Sequence, residues 1–431
     1  MQRGRGGGLC ATHDLLDVQV SAWKLKIETG LERSMYSMFR LRFLTAGESH
    51  GRGLAGIIEG IPANLPLSPD YVTRQLARRQ VGFGRGGRMR IEADRVEFIA
   101  GIRWGVTIGS PVALYIENRD WENWQGGMSP LLEDRGTVPP VTRPRPGHAD
   151  LPGAKKYGQD DIRNILERSS ARETAMRVAV GAVARRLLEE FGITVGSFVT
   201  SIGSVSMRVD PSTLTGEDLQ RLFTDAESSD LRCPDRDAAG RMRDAVEQAM
   251  NGGYSLGGTF ITYAAGVPVG IGSHIQWDRR LDSRLAHAFM GIQAIKGVEI
   301  GEGFELASRR GSEAMDEIFP APGSSRTGSV LRKTNHAGGI EGGMTNGMPV
   351  LVRAAMKPIP TQRKPLMSVD ILTGEPFEAA YERSDVCAVP AAAVIGEAAM
   401  SLVIADAFLE KFGGDSLEET RRNYENYLAG L

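Results

Sequence analysis

Between Gly47 and Gly51 the chain sets a carboxylate, a hydroxyl and an imidazole side by side, in the stretch FLTAGESHGRGLAG from Phe43 to Gly56. An isolated pentapeptide of this kind is most often a polar turn, and a serine next to a histidine also invites a nucleophile reading. Arginine elsewhere in the chain changes the question. ARRQVGFGRGGRMR places Arg78, Arg79, Arg85, Arg88 and Arg90 among four glycines. VTRPRPGHAD adds Arg143 and Arg145 beside His148, and ERSSARETAMR adds Arg168, Arg172 and Arg177 around Ser169 and Ser170. Guanidinium forks bind phosphate and carboxylate bidentately, and glycine lets the backbone approach the same anion. Ser169, Ser170 and the amides that open their helix are expected to form a second anion site, favoured by the helix dipole. Taken singly, each cluster also suits a solvated basic loop. Together they point to a small polyanionic ligand, with His50 facing the anion, Ser49 as a hydrogen-bond donor and the flanking glycines leaving room for the ligand.

Three later stretches carry similar features. NHAGGIEGGMTNG (335–347) is too glycine-dense for regular structure and suits a loop lying against a flat or phosphorylated ligand. MKPIPTQRKP offers Lys357, prolines at 358 and 360 and the hydroxyl of Thr361. YERSDVCAVPAA puts Arg383 and Asp385 at the entrance to an apolar helix.

Composition limits the alternatives. The 431 residues carry 51 Lys and Arg against 53 Asp and Glu, a net charge of −2, so the chain is not a globally basic nucleic-acid binder. Aromatic residues at 6% also leave GRGGRMR without the stacking partners such binders use. Cys10, Cys233 and Cys387 match no disulfide framework or metal spacing, which implies a reducing, cytoplasmic setting and no metal. The first 38 residues lack an apolar signal region and read as a disordered or dispensable leader. The stretch VCAVPAAAVIGEAAMSLVIAD holds Pro390 and Glu397, which suits a buried helix capped at Gly413-Gly414 rather than a membrane span.

Elements that must position these residues alternate from Phe39 onward. GLAGIIEGIP reads as a strand, and LSPDYVTRQLARRQ as a helix with Ser68 at the N-cap and Pro69 at its first position. RVEFIAGIRW and SPVALYIEN form a strand pair. SSARETAMRVAVGAVARRLLEEFG is a helix opened by a Ser170–Glu173 capping box and ended by Gly192. ITVGSFVTSIGSVSM and GGTFITYAAGVPVGIG are strands separated by helices at about 215–223 and 236–251. LDSRLAHAFMGIQAIKGVEIG joins a helix to a strand, and two helices close the chain. The charged segment 307–333 reads as a mobile loop able to order over a site. No linker interrupts residues 39–431, so a single α+β body is expected.

GESHG, RRQVGFGRGGRM, RPGHAD, RSSARETA, QAIKGVEIGEGF, AGGIEGGMTNG, KPIPT and RSD occur in the order found in chorismate synthases, and on these motifs the chain resembles that family from Phe39 to its C-terminal region. The resemblance implies a β-α-β sandwich in one domain, assembled as a homotetramer. It implies anti-1,4-elimination of phosphate from 5-enolpyruvylshikimate 3-phosphate to give chorismate, with reduced FMN and no net redox change. By resemblance, Ser49, Arg79, Arg85, Arg88, Arg145 and Arg172 hold the substrate anions. Arg168, Ser169, Ser170, Gln293, Ala294, Gly342, Lys357, Pro358, Ile359, Pro360, Thr361 and Arg383 line the FMN site. His50 acts as general acid towards the leaving phosphate, kept protonated by the surrounding anions. His148 stabilises the anionic reduced flavin, and Asp385 takes the proton at flavin N5. NADP contacts at Arg79 and Arg85 and an external flavin reductase belong to the same picture. A flavin oxidoreductase using the same anion sites is the rival reading, separated by its consumption of reductant in each turnover.

Overall fold

Two antiparallel sheets enclose a layer of helices in the computed structural model, which describes residues 40–85, 93–321, 330–379 and 385–431. The leader, Arg88 and Arg383 lie outside the described residues. The first sheet has the order β1-β2-β4-β3, with β1 Arg42–Ala46, β2 Gly53–Glu59, β3 Val96–Ala100 and β4 Val112–Glu117. The second is built from β5 Thr194–Ile202, β6 Gly258–Ala265, β7 Ile295–Ile300 and β8 Val350–Met356, in the order β7-β8-β6-β5, with Val205–Ser206 at its edge.

Helices follow the apolar periodicity. α1 (Pro69–Gln80) starts as expected, with the Ser68 hydroxyl accepting from the Tyr71 amide and proline in the first turn. α2 (Asp150–Tyr157) and α3 (Arg163–Ser169) are short, and α4 (Thr174–Glu189) is long and buried. α5 (Gly216–Glu227), α6 (Arg236–Gly252) and α7 (Leu281–Met290) precede the terminal pair α8 (Val389–Phe412) and α9 (Leu417–Gly430). The expected single helix from Ser170 is instead a 3-10 turn at Ala171–Glu173 followed by α4, with α3 ending just before it at Ser169. Its capping box does not form. Ser170 accepts from the Arg172 amide, and the Glu173 carboxylate is drawn away to Thr45, Arg177 and Gln293. The chain beyond α4 turns at Gly192 with φ +71°.

The layers run first sheet, α4, α8, second sheet. Small residues set their spacing. A Cβ at Gly56 of β2 would lie 2.5 Å from the Met176 sulfur of α4, and one at Gly181 would lie 2.4 Å from Ala398 Cβ of α8. One at Gly396 would lie 2.7 Å from Thr262 Oγ1 of β6. α8 is long and apolar enough to cross a membrane, yet 89% of its most apolar window is buried within the body. An all-round apolar helix needs such a site. It ends at Gly413, φ +63°, as the glycine pair predicts.

Two stretches read as loops contain structure. Ile340–Glu341 pairs with Met344–Thr345 in a hairpin turned by Gly342 and Gly343, both at positive φ. In the 307–333 segment, of which 322–329 lie outside the described residues, Ile318–Pro320 pairs antiparallel with Val330–Arg332.

Candidate active site

A cavity of about 550 Å³ opens where the β1–β2 loop, α3, the start of α4 and the start of α8 meet. Its lining includes Ser49, His50, Arg79, Arg85, Arg145, His148, Ser169, Ser170, Arg172, Gln293, Ala294, Lys357, Ile359, Pro360, Thr361 and Asp385. Asp385 is the one carboxylate among the described lining residues, facing four arginines and a lysine. Such an imbalance suits a ligand with several negative charges.

The GESHG loop owes its form to groups distant in sequence. Gly47 takes φ +110°, and a Cβ there would lie 2.4 Å from the Gly53 carbonyl, so glycine is required for the turn itself. Neither Gly47 nor Gly51 lines the cavity, which corrects the expectation that they make room for ligand. Asn118 donates to the carbonyls of Glu48 and Gly51 at 3.1 and 2.7 Å. Glu48 is exposed. The carboxylate that serves the histidine is buried Glu167 of α3, whose Oε2 accepts from the His50 amide and whose Oε1 lies 2.8 Å from Nδ1. Ser49 accepts a hydrogen bond from Ser170 at 3.2 Å, a partner that suits a positioned hydroxyl rather than an activated nucleophile.

His148 is anchored in the same manner. Its Nδ1 lies 2.6 Å from Oδ1 of Asp150, which also accepts from the Arg145 amide, Nε and Nη2. Burial works against the ionised form of Asp150, but its bonds to His148 and Arg145 prevail and hold the carboxyl well below the usual range. Arg145 also donates to Thr361 at 3.3 Å, joining the RPGHAD and KPIPT stretches. Arg172 donates to both oxygens of Asp94 at 2.7 and 2.8 Å and to Asn118 at 3.0 Å. Arg79 donates to Thr174 and to the Ala171 carbonyl. Arg85 pairs with Asp385 at 2.9 Å.

Ile292, Ala388, Ala391, Ala392 and Ile395 add apolar surface to the lining. Lys357 donates to the Gly147 carbonyl, and burial together with the nearby Lys296 charge lowers its pKa. Ala294 adopts φ +66°, and its carbonyl accepts from the Lys357 amide. Gln293 donates to Glu173.

Several expected residues stand elsewhere. Arg168 is exposed and donates to the carbonyls of Thr45 and Gly47, outside the cavity lining. Gly342 sits in its hairpin, and Pro358 is absent from the lining although its neighbours are present. Arg78 pairs with Glu227 and Glu397, Arg143 lies over the Phe377 ring, and Arg177 holds Glu173, so the clusters divide between cavity and framework. Ser169 lines the cavity but donates to the Ile165 carbonyl, at the end of α3 rather than at the start of a helix. Sequence reasoning missed Glu167, Asp150, Asp94 and Asn118. Asp150 stood within RPGHAD, two residues from His148, and Glu167 directly precedes Arg168.

The cavity brings together four arginines and two carboxylate-anchored histidines, an arrangement suited to a small polyanion and to acid–base work at a charged group. The chorismate synthase family model matches residues 41–409. Chorismate synthase of Trichlorobacter lovleyi is 57% identical over 394 residues, covering 91% of this chain and 99% of its own. That of Aquifex aeolicus is 56% identical over 395 residues, covering 91% and 98%. A solved structure described as a crystal structure of chorismate synthase is 46% identical, with a TM-score of 0.74, covering 90% of this chain and 98% of its own. The chain belongs to the chorismate synthase family, carbon–oxygen lyases that complete the shikimate pathway by eliminating phosphate from 5-enolpyruvylshikimate 3-phosphate.

Proposed function

We propose that the cavity holds 5-enolpyruvylshikimate 3-phosphate beside FMN, and that His50 delivers a proton to the departing phosphate. The observation that carries this reading is the convergence of His50 and His148, each backed by a buried carboxylate, on a cavity lined by four arginines. Arg79, Arg85, Arg88, Arg145, Arg172 and Ser49 bind the substrate's phosphate and two carboxylates. With Nδ1 engaged by Glu167, His50 transfers its proton from Nε2 to a phosphate oxygen. The arginines stabilise the charge that accumulates there as the C–O bond breaks.

The residues present fit a flavin. The apolar lining of Ile292, Ala388, Ala391, Ala392 and Ile395 suits a flat ring, and Ser169, Ser170, Gln293, Lys357 and Thr361 supply polar groups to the same cavity. Ala294, Ile359 and Pro360 of the same lining, with Arg383, complete the proposed set. Bound reduced FMN supplies electron density transiently and recovers it, so the elimination needs no net reductant. His148, fixed at Nδ1 by Asp150, offers a donor edge to that ligand, and Asp385, whose carboxylate pairs with Arg85, takes the proton at flavin N5.

Reduced flavin comes from an external reductase in this reading, and NADP contacts fall to Arg79 and Arg85. Assembly as a homotetramer is supported by the outer face of the first sheet, where Leu44 and Ile57 are cross-strand partners and both exposed. A cytoplasmic location without membrane attachment agrees with the burial of α8 and of Cys233 and Cys387, whose thiols burial pushes up to about 11. The test is His50→Ala and His148→Ala. Turnover should fall on the order of 100-fold or more in each while FMN binding stays detectable, and wild-type turnover in either variant would remove its assigned role.

A further inference from the structure

We infer that Glu167 and Trp124 are the positioning residues of the general acid, and that together they leave Nε2 as the His50 atom that exchanges a proton with the substrate. The inference rests on the reading of His50 as proton donor.

Three contacts define the position of the His50 ring. The peptide is held by Glu167, which accepts from the His50 amide through Oε2 at 2.8 Å and from the Ser49 amide through its own carbonyl at 3.1 Å. Rotation about the ring's attachment is limited by the 2.8 Å contact of Nδ1 with Glu167 Oε1. The ring plane is set by Trp124, whose ring lies 4.3 Å from that of His50 at 32°. Trp124 is itself held. Its indole N–H donates to Asp120 at 3.2 Å, and the Arg163 guanidinium lies 4.9 Å from its ring. Arg163 returns to Glu167 at 3.6 Å, so the four side chains close on one another.

This arrangement has a chemical consequence. A carboxylate at Nδ1 keeps that nitrogen as the donor in both the neutral and the charged ring, so the proton gained and lost is the one on Nε2. Glu167 is only 2% exposed and does not line the cavity, and Trp124 does not line it either. Both therefore act through His50 rather than on substrate. The DWENW stretch, which carries no other assignment, is the element that brings Trp124 over the ring.

The test is a double-mutant cycle on the full-length enzyme, assayed anaerobically with reduced FMN and 5-enolpyruvylshikimate 3-phosphate. Glu167→Gln and Trp124→Ala should each lower kcat roughly 10- to 100-fold, the scale expected for a misplaced catalytic group. Substrate KM and FMN affinity, read from flavin fluorescence, should stay within about two-fold of wild type, because neither residue binds ligand. In a His50→Ala background both substitutions should have no further effect on kcat, since groups acting through one another are not additive. If His50→Ala is slow but Glu167→Gln and Trp124→Ala lower kcat by the same factors in its background, the positioning inference is wrong while the role of His50 stands. Wild-type kcat in both single variants would also overturn it. A His50→Ala enzyme with wild-type kcat would instead remove the underlying reading. Trp124→Ala keeps the cycle decisive if Glu167→Gln does not fold.

Discussion

Replacing Glu397 by glutamine removes the charge at the centre of α8, where the body is least able to compensate. Glu397 is 3% exposed and accepts from Arg78 at 2.7 and 2.8 Å, Arg185 at 2.5 Å, Ser197 at 2.6 Å and Arg232 at 3.2 Å. Burial disfavours its ionised form, yet Arg78, Arg185 and Arg232 overcome this and move its pKa from the ordinary 4.5 to about 2. A displacement of that size corresponds to about 3 kcal/mol of native-state preference for the carboxylate. Removing one partner of a buried ion pair costs about 3–5 kcal/mol, because the charges left behind remain desolvated. Glutamine keeps the shape and one acceptor, so the loss should fall near the lower figure. The native pKa is depressed, so the contribution is complete above the ordinary glutamate range and disappears as pH falls towards 2. Urea unfolding at pH 7 should show Glu397→Gln less stable by about 3 kcal/mol, with the difference from wild type shrinking as pH falls from about 5 towards 2. Equal stability at pH 7, or a difference that grows on acidification, would refute the reasoning.

Further outcomes follow from the cavity. Asp150→Asn removes the negative charge and one of the two acceptor oxygens shared by His148 and Arg145, and should raise substrate KM roughly 10-fold while lowering kcat, at the scale of lost charge-assisted hydrogen bonds. Steady-state kinetics that show neither change would separate Asp150 from both residues. Ala392→Phe fills part of the apolar wall, and an overpacking cost of about 1–3 kcal/mol should weaken FMN binding roughly 10-fold or more, read by flavin fluorescence titration. Arg172→Lys loses the planar fork that meets Asp94, and should raise substrate KM more than it lowers kcat.

Strands and helices were legible wherever period and punctuation agreed. Ser68-Pro69 opened α1, and Gly413 ended α8, because a cap and a left-handed turn are local requirements. The capping box at Ser170 failed because Glu173 has stronger tertiary partners in Thr45, Arg177 and Gln293. Layer order was not legible, since it depends on which distant surface meets Gly56, Gly181 or Gly396. In the candidate site, residue type picked out arginines that line the cavity, but partner choice is spatial. Glu48 stands two residues before His50 and is exposed, while Glu167, more than a hundred residues later, touches its Nδ1 at 2.8 Å. Arginine motifs likewise could not reveal which guanidiniums meet ligand and which, like Arg78, neutralise the core.

The central claim is best tested by stoichiometry. Under anaerobic conditions, the purified protein with catalytic reduced FMN and 5-enolpyruvylshikimate 3-phosphate should release chorismate and phosphate in equal amounts, with the reduced flavin undiminished after many turnovers. Folded protein that yields no chorismate, or that consumes one equivalent of reductant for each phosphate released, would contradict the account.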